Sequence, residues 1–71
     1  MIGYVARDLD ETLWFHYIKP YRTVKNNDGW WISNERSFKI SDNDFPAFKS
    51  LAWKDKPIRV GFDINIANKQ D

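Results

Sequence analysis

The sequence predicts a mainly all-β fold: a small antiparallel sheet or partial barrel of about five to six strands, with one short helical turn before the last strand. Three observations carry this expectation. Residues 58–67 read I-R-V-G-F-D-I-N-I-A, placing Ile58, Val60, Phe62, Ile64 and Ile66 on one parity and Arg59, Gly61, Asp63 and Asn65 on the other. That is the period of a half-buried strand. Turn-forming clusters, RDLDET, NNDG and SNER, divide β-former runs at short intervals. Helical spacing occurs in one short stretch only.

Residues 2–7 alternate, with Ile2, Tyr4 and Ala6 against Gly3, Val5 and Arg7, and the polar RDLDET makes a hairpin between them and the run 12–18. In that run Leu13, Phe15 and Tyr17 oppose Trp14, His16 and Ile18, and either set can face inward. Pro20 interrupts ladder pairing, so 21–24 is either a new edge strand or a continuation past a bend. NNDG at 26–29 is a hairpin turn, with Gly29 available for positive φ. SNER at 33–36 is a second tight turn leading to 37–40, where Phe38 and Ile40 alternate with Ser37 and Lys39.

In SDNDFPAFKSLAW, Ser41 or Asp42 can cap a helical turn that accepts Pro46 early and spaces Phe45, Phe48 and Leu51 along one side. One or two turns are expected, 3₁₀ at one end. Pro57 suits the first position of the last strand. Residues 1–67 read as a single globular domain and 68–71 as a frayed tail.

At 71 residues the chain holds one core near the lower margin of independent stability, about 3–5 kcal/mol. Cysteine is absent, which removes disulfides, thiolate metal sites and cysteine nucleophiles together. Bulk replaces them: four Trp, three Tyr and five Phe supply large rings to bury. Eleven Lys and Arg against ten Asp and Glu are mixed along the chain, which disfavours a mainly electrostatic nucleic-acid binder. MIGYVARD reaches an arginine by position 7, with no apolar signal segment, and no run has transmembrane length. A soluble, cytoplasmic protein beginning at Met1, with no membrane partner, is expected.

Catalytic constellations are missing. His16 stands alone in an apolar strand and reads as a packed or surface residue. Asp8, Asp10 and Glu11, and again Asp42 and Asp44, lie where turns and caps use acids structurally. No glycine-rich phosphate loop, zinc signature or calcium loop occurs. The expectation is a non-enzymatic chain with no cofactor and no metal.

Trp30 and Trp31 are adjacent, so in a strand they point to opposite faces, one inward and one outward. The outward ring either covers a neighbouring strand or anchors a partner, Trp and Arg being frequent at binding hot spots. Trp14 and Tyr17 raise the same question. The candidate partner-binding set is Trp14, Tyr17, Trp30, Trp31, Arg22 and Arg36. Another protein is the first choice of partner. Single-stranded nucleic acid, stacked on the rings with Arg22, Arg36 and Lys39 at the phosphates, is the second. Self-association through an exposed edge at 21–24, bounded by Pro20, is the third.

Two resemblances add to this. DGWWIS, a turn, the strand SFKI, a one-turn helix and a last strand resemble the element order of Src-homology-3 barrels, and so imply an SH3-like partial barrel. In that family the first Trp of the pair, here Trp30, lines a peptide groove, and acids of the first long loop, here Asp8, Asp10 and Glu11, pair with basic ligand residues. More of the chain resembles a group of short uncharacterised bacterial proteins common in phages and other mobile elements. These open with Tyr-Ile/Val-Ala-Arg-Asp, continue to Lys-Pro-x-Arg and carry a late Phe-Pro. Tyr4, Ala6, Arg7, Asp8, Lys19, Pro20, Arg22, Phe45, Pro46, Trp53 and Pro57 carry the match. Two departures affect the loops: the turn glycine expected near Glu11 is absent, and Lys54 stands where an acid is usual. The resemblance implies a mobile-element accessory protein and transfers no activity.

Overall fold

A computed structural model describes residues 2–61. In it the chain runs β1 (Ile2–Arg7), β2 (Leu13–His16), β3 (Tyr21–Lys25), β4 (Asp28–Ile32), β5 (Ser37–Ile40), a 3₁₀ turn (Pro46–Phe48) and β6 (Ile58–Gly61). The expected continuation of the last strand through 62–67 and the tail 68–71 lie outside the described residues. The fold is mainly β, as expected: six antiparallel strands in two sheets and one 3₁₀ turn among the described residues, forming a partial barrel without closure.

The larger sheet has the order β5-β2-β1-β6 and the smaller is the hairpin β3-β4. Register aligns Val5 with Phe15 and Ile58, and Phe15 with Phe38, so these share one face. The core grows from that face: Val5, Leu13 and Phe15 are buried with Leu51, and Tyr17, Ile40, Phe48 and Val60 pack against them. Phe15, Tyr17 and Phe38 form a ring cluster with centroids 5.1–5.9 Å apart. Its covering layer is the segment after β5, which brings Phe48 and Leu51 over the sheet.

The opposite face is also covered, which resolves the ambiguity of residues 13–18. Ala6 and His16, aligned with Trp14 and Tyr4, are buried there, beneath the segment that leaves β4. His16 Nδ1 lies 3.1 Å from Ser33 Oγ. Both parities of β2 were apolar because both faces of this strand are buried.

Several local expectations are corrected. The strand expected at 12–18 is shorter, Leu13–His16, because Ile18 to Pro20 leave the ladder before Pro20. Of the two alternatives for residues 21–24, the new edge strand is the one formed, over 21–25, and it pairs with β4 alone among the described strands. In the NNDG turn the left-handed residues are Asn26 (φ 52°) and Asn27 (φ 67°), the two-residue turn of a hairpin closed by Lys25 and Asp28. Gly29 has no positive φ; it lies in β4, where an added Cβ would meet Trp53 Cζ2 at 2.6 Å. SNER forms its turn, yet the chain there changes sheets, since β5 pairs with β2 and not with β4. The helical turn is a single 3₁₀ turn begun at Phe45 without a side-chain cap. Ser41 instead accepts the N–H groups of Asn43 on its hydroxyl and of Asp44 and Phe45 on its carbonyl, and Asp42 faces Arg7. Ile58 is exposed although it sits on the inward parity, because β6 is an outer strand of the sheet.

Candidate binding surface

The hairpin β3-β4 is fastened to the larger sheet where β1 ends. Leu9 N–H donates to the Gly29 carbonyl at 2.9 Å, Trp31 N–H to Asp8 Oδ1 at 2.9 Å, and Trp31 Nε1–H to the Arg7 carbonyl at 3.1 Å. Burial pushes the Asp8 carboxyl above its ordinary range, opposed by the Trp31 amide and assisted by the charges of Asp10 and Asp28. Trp31 is therefore pinned at both its backbone and its ring nitrogen.

On the side away from that anchor, Trp31 meets Trp53 edge-to-face, with centroids 5.9 Å apart. The Arg22 guanidinium lies over both rings, 4.8 Å from Trp31 and 4.6 Å from Trp53, and donates from Nη2 to the Trp53 carbonyl at 2.7 Å. Gly29 is the neighbour of Trp31 on this side, and its missing Cβ makes room for the Trp53 ring. Asp55 holds the Trp53 loop in shape, its carboxylate accepting the Ala52 N–H at 2.8 Å.

Trp14, Trp30 and Trp31, with Asp8, Ile32 and Ser33, line one open hollow of about 250 Å³. The three indoles differ in how their N–H groups are used. Trp14 donates to Thr12 Oγ1 and Trp31 to the Arg7 carbonyl, whereas the Trp30 indole N–H has no hydrogen-bond partner among the described residues. Ile32 is exposed and sits directly across the hairpin from Tyr21, which is exposed as well. A strip of apolar surface thus runs from Trp14 and Trp30 through Ile32 to Tyr21.

The structure brings together four of the six residues singled out from the sequence: Trp14, Trp30 and Trp31 around the hollow, with Arg22 stacked behind Trp31. Tyr17 lies elsewhere, in the ring cluster on the core face. Arg36 is exposed on the 33–36 turn, its carbonyl accepting the Tyr17 N–H. Trp53 and Arg7 belong to the architecture of the surface and were not in that set. Arg7, buried at the end of β1, spends all five guanidinium N–H groups. Nε bonds the Leu51 carbonyl, Nη1 the Glu11 carbonyl and Asp42 Oδ2, and Nη2 the Phe48 carbonyl and Asp42 Oδ1. That hydrogen bonding holds the Asp42 carboxyl below its ordinary range.

A larger open hollow of about 670 Å³ lies between the 10–13 turn and β5, with Phe38, Ile40 and Phe45 among its lining. Two of its acids are already engaged: Asp10 accepts from the Thr12 hydroxyl and amide, which lowers its pKa, and Asp42 is held by Arg7. Among the described residues no three His, Asp or Glu side chains gather as a metal would require, and no helix is long and apolar enough to cross a membrane. No family model, curated protein or solved structure matches the chain.

Proposed function

We propose that the chain is a small non-enzymatic binding module, of the mobile-element accessory kind, that works in the cytoplasm by occupying another protein through the strip Trp14–Trp30–Ile32–Tyr21. The observation that carries this reading is Trp30: a half-buried indole at the mouth of a hollow, its N–H unspent while its two neighbours spend theirs inside the fold. A Trp with one apolar face covered and a free donor is the residue type that anchors interfaces, contributing both contact area and one directed hydrogen bond. Asp8, on the same hollow, offers a carboxylate to a partner's donor. Arg22, which a nucleic-acid reading would place on a phosphate, is held between two indole rings and a carbonyl. Protein recognition is therefore the reading the surface favours.

Affinity capture from bacterial lysate tests it, run with and without nuclease, on the natural chain and on Trp30→Ala and Phe38→Ala variants whose circular dichroism is unchanged. Trp30→Ala should weaken a nuclease-resistant partner at least tenfold, the loss of one hot-spot ring. Phe38→Ala should leave it captured. Equal capture by both variants, or recovery that disappears with nuclease, would reject the proposal.

A further inference from the structure

The outer edge of β3 offers a second surface, defined by backbone groups. Strand β3 (Tyr21–Lys25) is paired with β4 on one side, and no described strand pairs with the other. Which groups point outward can be read from β4. Trp31 N–H goes to Asp8, Gly29 N–H to the Asp28 carboxylate, and the Gly29 carbonyl accepts from Leu9. Trp31 and Gly29 therefore turn their backbone away from β3, and their cross-strand partners Arg22 and Val24 form non-hydrogen-bonded pairs with them. It follows that Arg22 and Val24 direct their own N–H and C=O groups to the open edge, separated by Thr23.

Two donors and two acceptors placed symmetrically about one residue are self-complementary. We infer that two copies of the chain pair antiparallel through β3, with the two-fold axis at Thr23. In this register Arg22 exchanges two hydrogen bonds with the second copy's Val24, and Val24 two with the second copy's Arg22. Charges fit the same register: Lys25 faces the second copy's Tyr21, Arg22 faces Val24, and no cation lies opposite a cation. Centring the pair on Arg22 would set two arginines face to face, and centring it on Val24 would run Arg22 against the Asn26–Asn27 turn. Pairing also covers Tyr21 and Val24, now 56% and 66% exposed. A five-residue strand makes a small interface, so the association belongs to the weak, concentration-dependent class.

Register-specific cross-linking tests this, helped by the absence of natural cysteine. At the axis a non-hydrogen-bonded pair sets Cα atoms ~4.5 Å apart, within disulfide range. Two cysteines at position 25 would instead lie ~13 Å apart along the strands. In a glutathione redox buffer Thr23→Cys should form a disulfide-linked dimer at least tenfold faster than Lys25→Cys at equal concentration. Adding Val24→Pro should abolish that advantage, because proline removes an outward N–H and leaves the β3-β4 ladder intact; circular dichroism checks that the fold is kept. Equal rates for the two cysteine variants, persistence of the advantage with Val24→Pro, or a strict monomer by light scattering of the natural chain up to millimolar concentration would overturn the inference.

Discussion

At the scale of single residues, Arg7 contributes more than its position suggests. An arginine closing a strand reads as surface, and nothing local marks it otherwise, because four of its five acceptors are on Leu51, Phe48 and Asp42, more than 30 positions away. Replacing it with Lys keeps charge and loses the planar fork, leaving buried carbonyls unpaired. Arg7→Lys should cost about 2 kcal/mol, read as a lower urea midpoint, and Arg7→Ala about 3 kcal/mol or more, enough to unfold much of a domain this small. Glu11 is the converse, since it holds φ at 75° where the resemblance called for glycine. A side chain there costs about 1 kcal/mol, so Glu11→Gly should raise the melting temperature by about 4–8 °C; its carbonyl remains for Arg7. His16 sets a pH dependence. Ser33 Oγ–H donates to the Glu35 carbonyl and so accepts from His16 Nδ1–H, which leaves Nε2 as a buried bare lone pair. Desolvation lowers the His16 pKa. The unfolded chain then binds the proton more readily, so stability is full above about pH 6.5 and falls as pH drops below it. Thermal melts from pH 5 to 8 should show that limb, and His16→Phe should flatten it.

Among the elements, the strands and turns were legible because their signals are local: alternation, a proline break, and the turn cluster NNDG, whose two left-handed residues are Asn26 and Asn27. What was not legible is what each element packs against. Gly29 illustrates this, since the sequence placed it inside the NNDG turn signal and its actual constraint is Trp53, 24 positions later. Trp53 follows the helical turn without periodicity, so no pattern connected it with Trp31. Two of the strand glycines, Gly3 and Gly29, predict different failures. A Cβ on Gly3 would lie 2.1 Å from the Phe15 ring and 2.8 Å from the His16 carbonyl oxygen, which is ladder backbone and cannot yield. On Gly29 the obstacle is an indole that can swing outward. Gly3→Ala should therefore cost about 3 kcal/mol and abolish cooperative melting, whereas Gly29→Ala should stay folded, cost about 1 kcal/mol and shift tryptophan emission to the red as Trp53 enters water. Similar losses in the two variants would mean that the Trp53 loop is as rigid as the ladder.

At the scale of the whole molecule, a four-stranded sheet is covered on one face by the segment carrying Phe48 and Leu51 and on the other by the chain around β4. Apart from Trp14, which stands on β2, the candidate surface belongs to the second layer, which holds none of the buried core residues; Trp30, Trp31 and Thr23 are half-buried and Tyr21, Val24 and Ile32 exposed. Its attachment is polar and localised, at Leu9, Asp8 and Arg7 on one side and at the Arg22–Trp53 contact on the other. An arrangement of this kind opens layer by layer, the polar seam before the apolar core. Removing Arg22 takes away the cation between the two indoles and the bond to the Trp53 carbonyl, but nothing from the core. Arg22→Ala should therefore accelerate amide exchange at Leu9 and Trp31, whose N–H groups form the seam, while Val5 and Phe15 in the central ladder keep their protection. Exchange followed residue by residue distinguishes the alternatives. If the seam and ladder amides accelerate together, the two layers unfold as one unit and the surface is as rigid as the core. If the seam alone accelerates, the molecule presents Trp30 and Trp31 on a layer that can adjust to a partner while the sheet beneath, with Trp14, stays fixed.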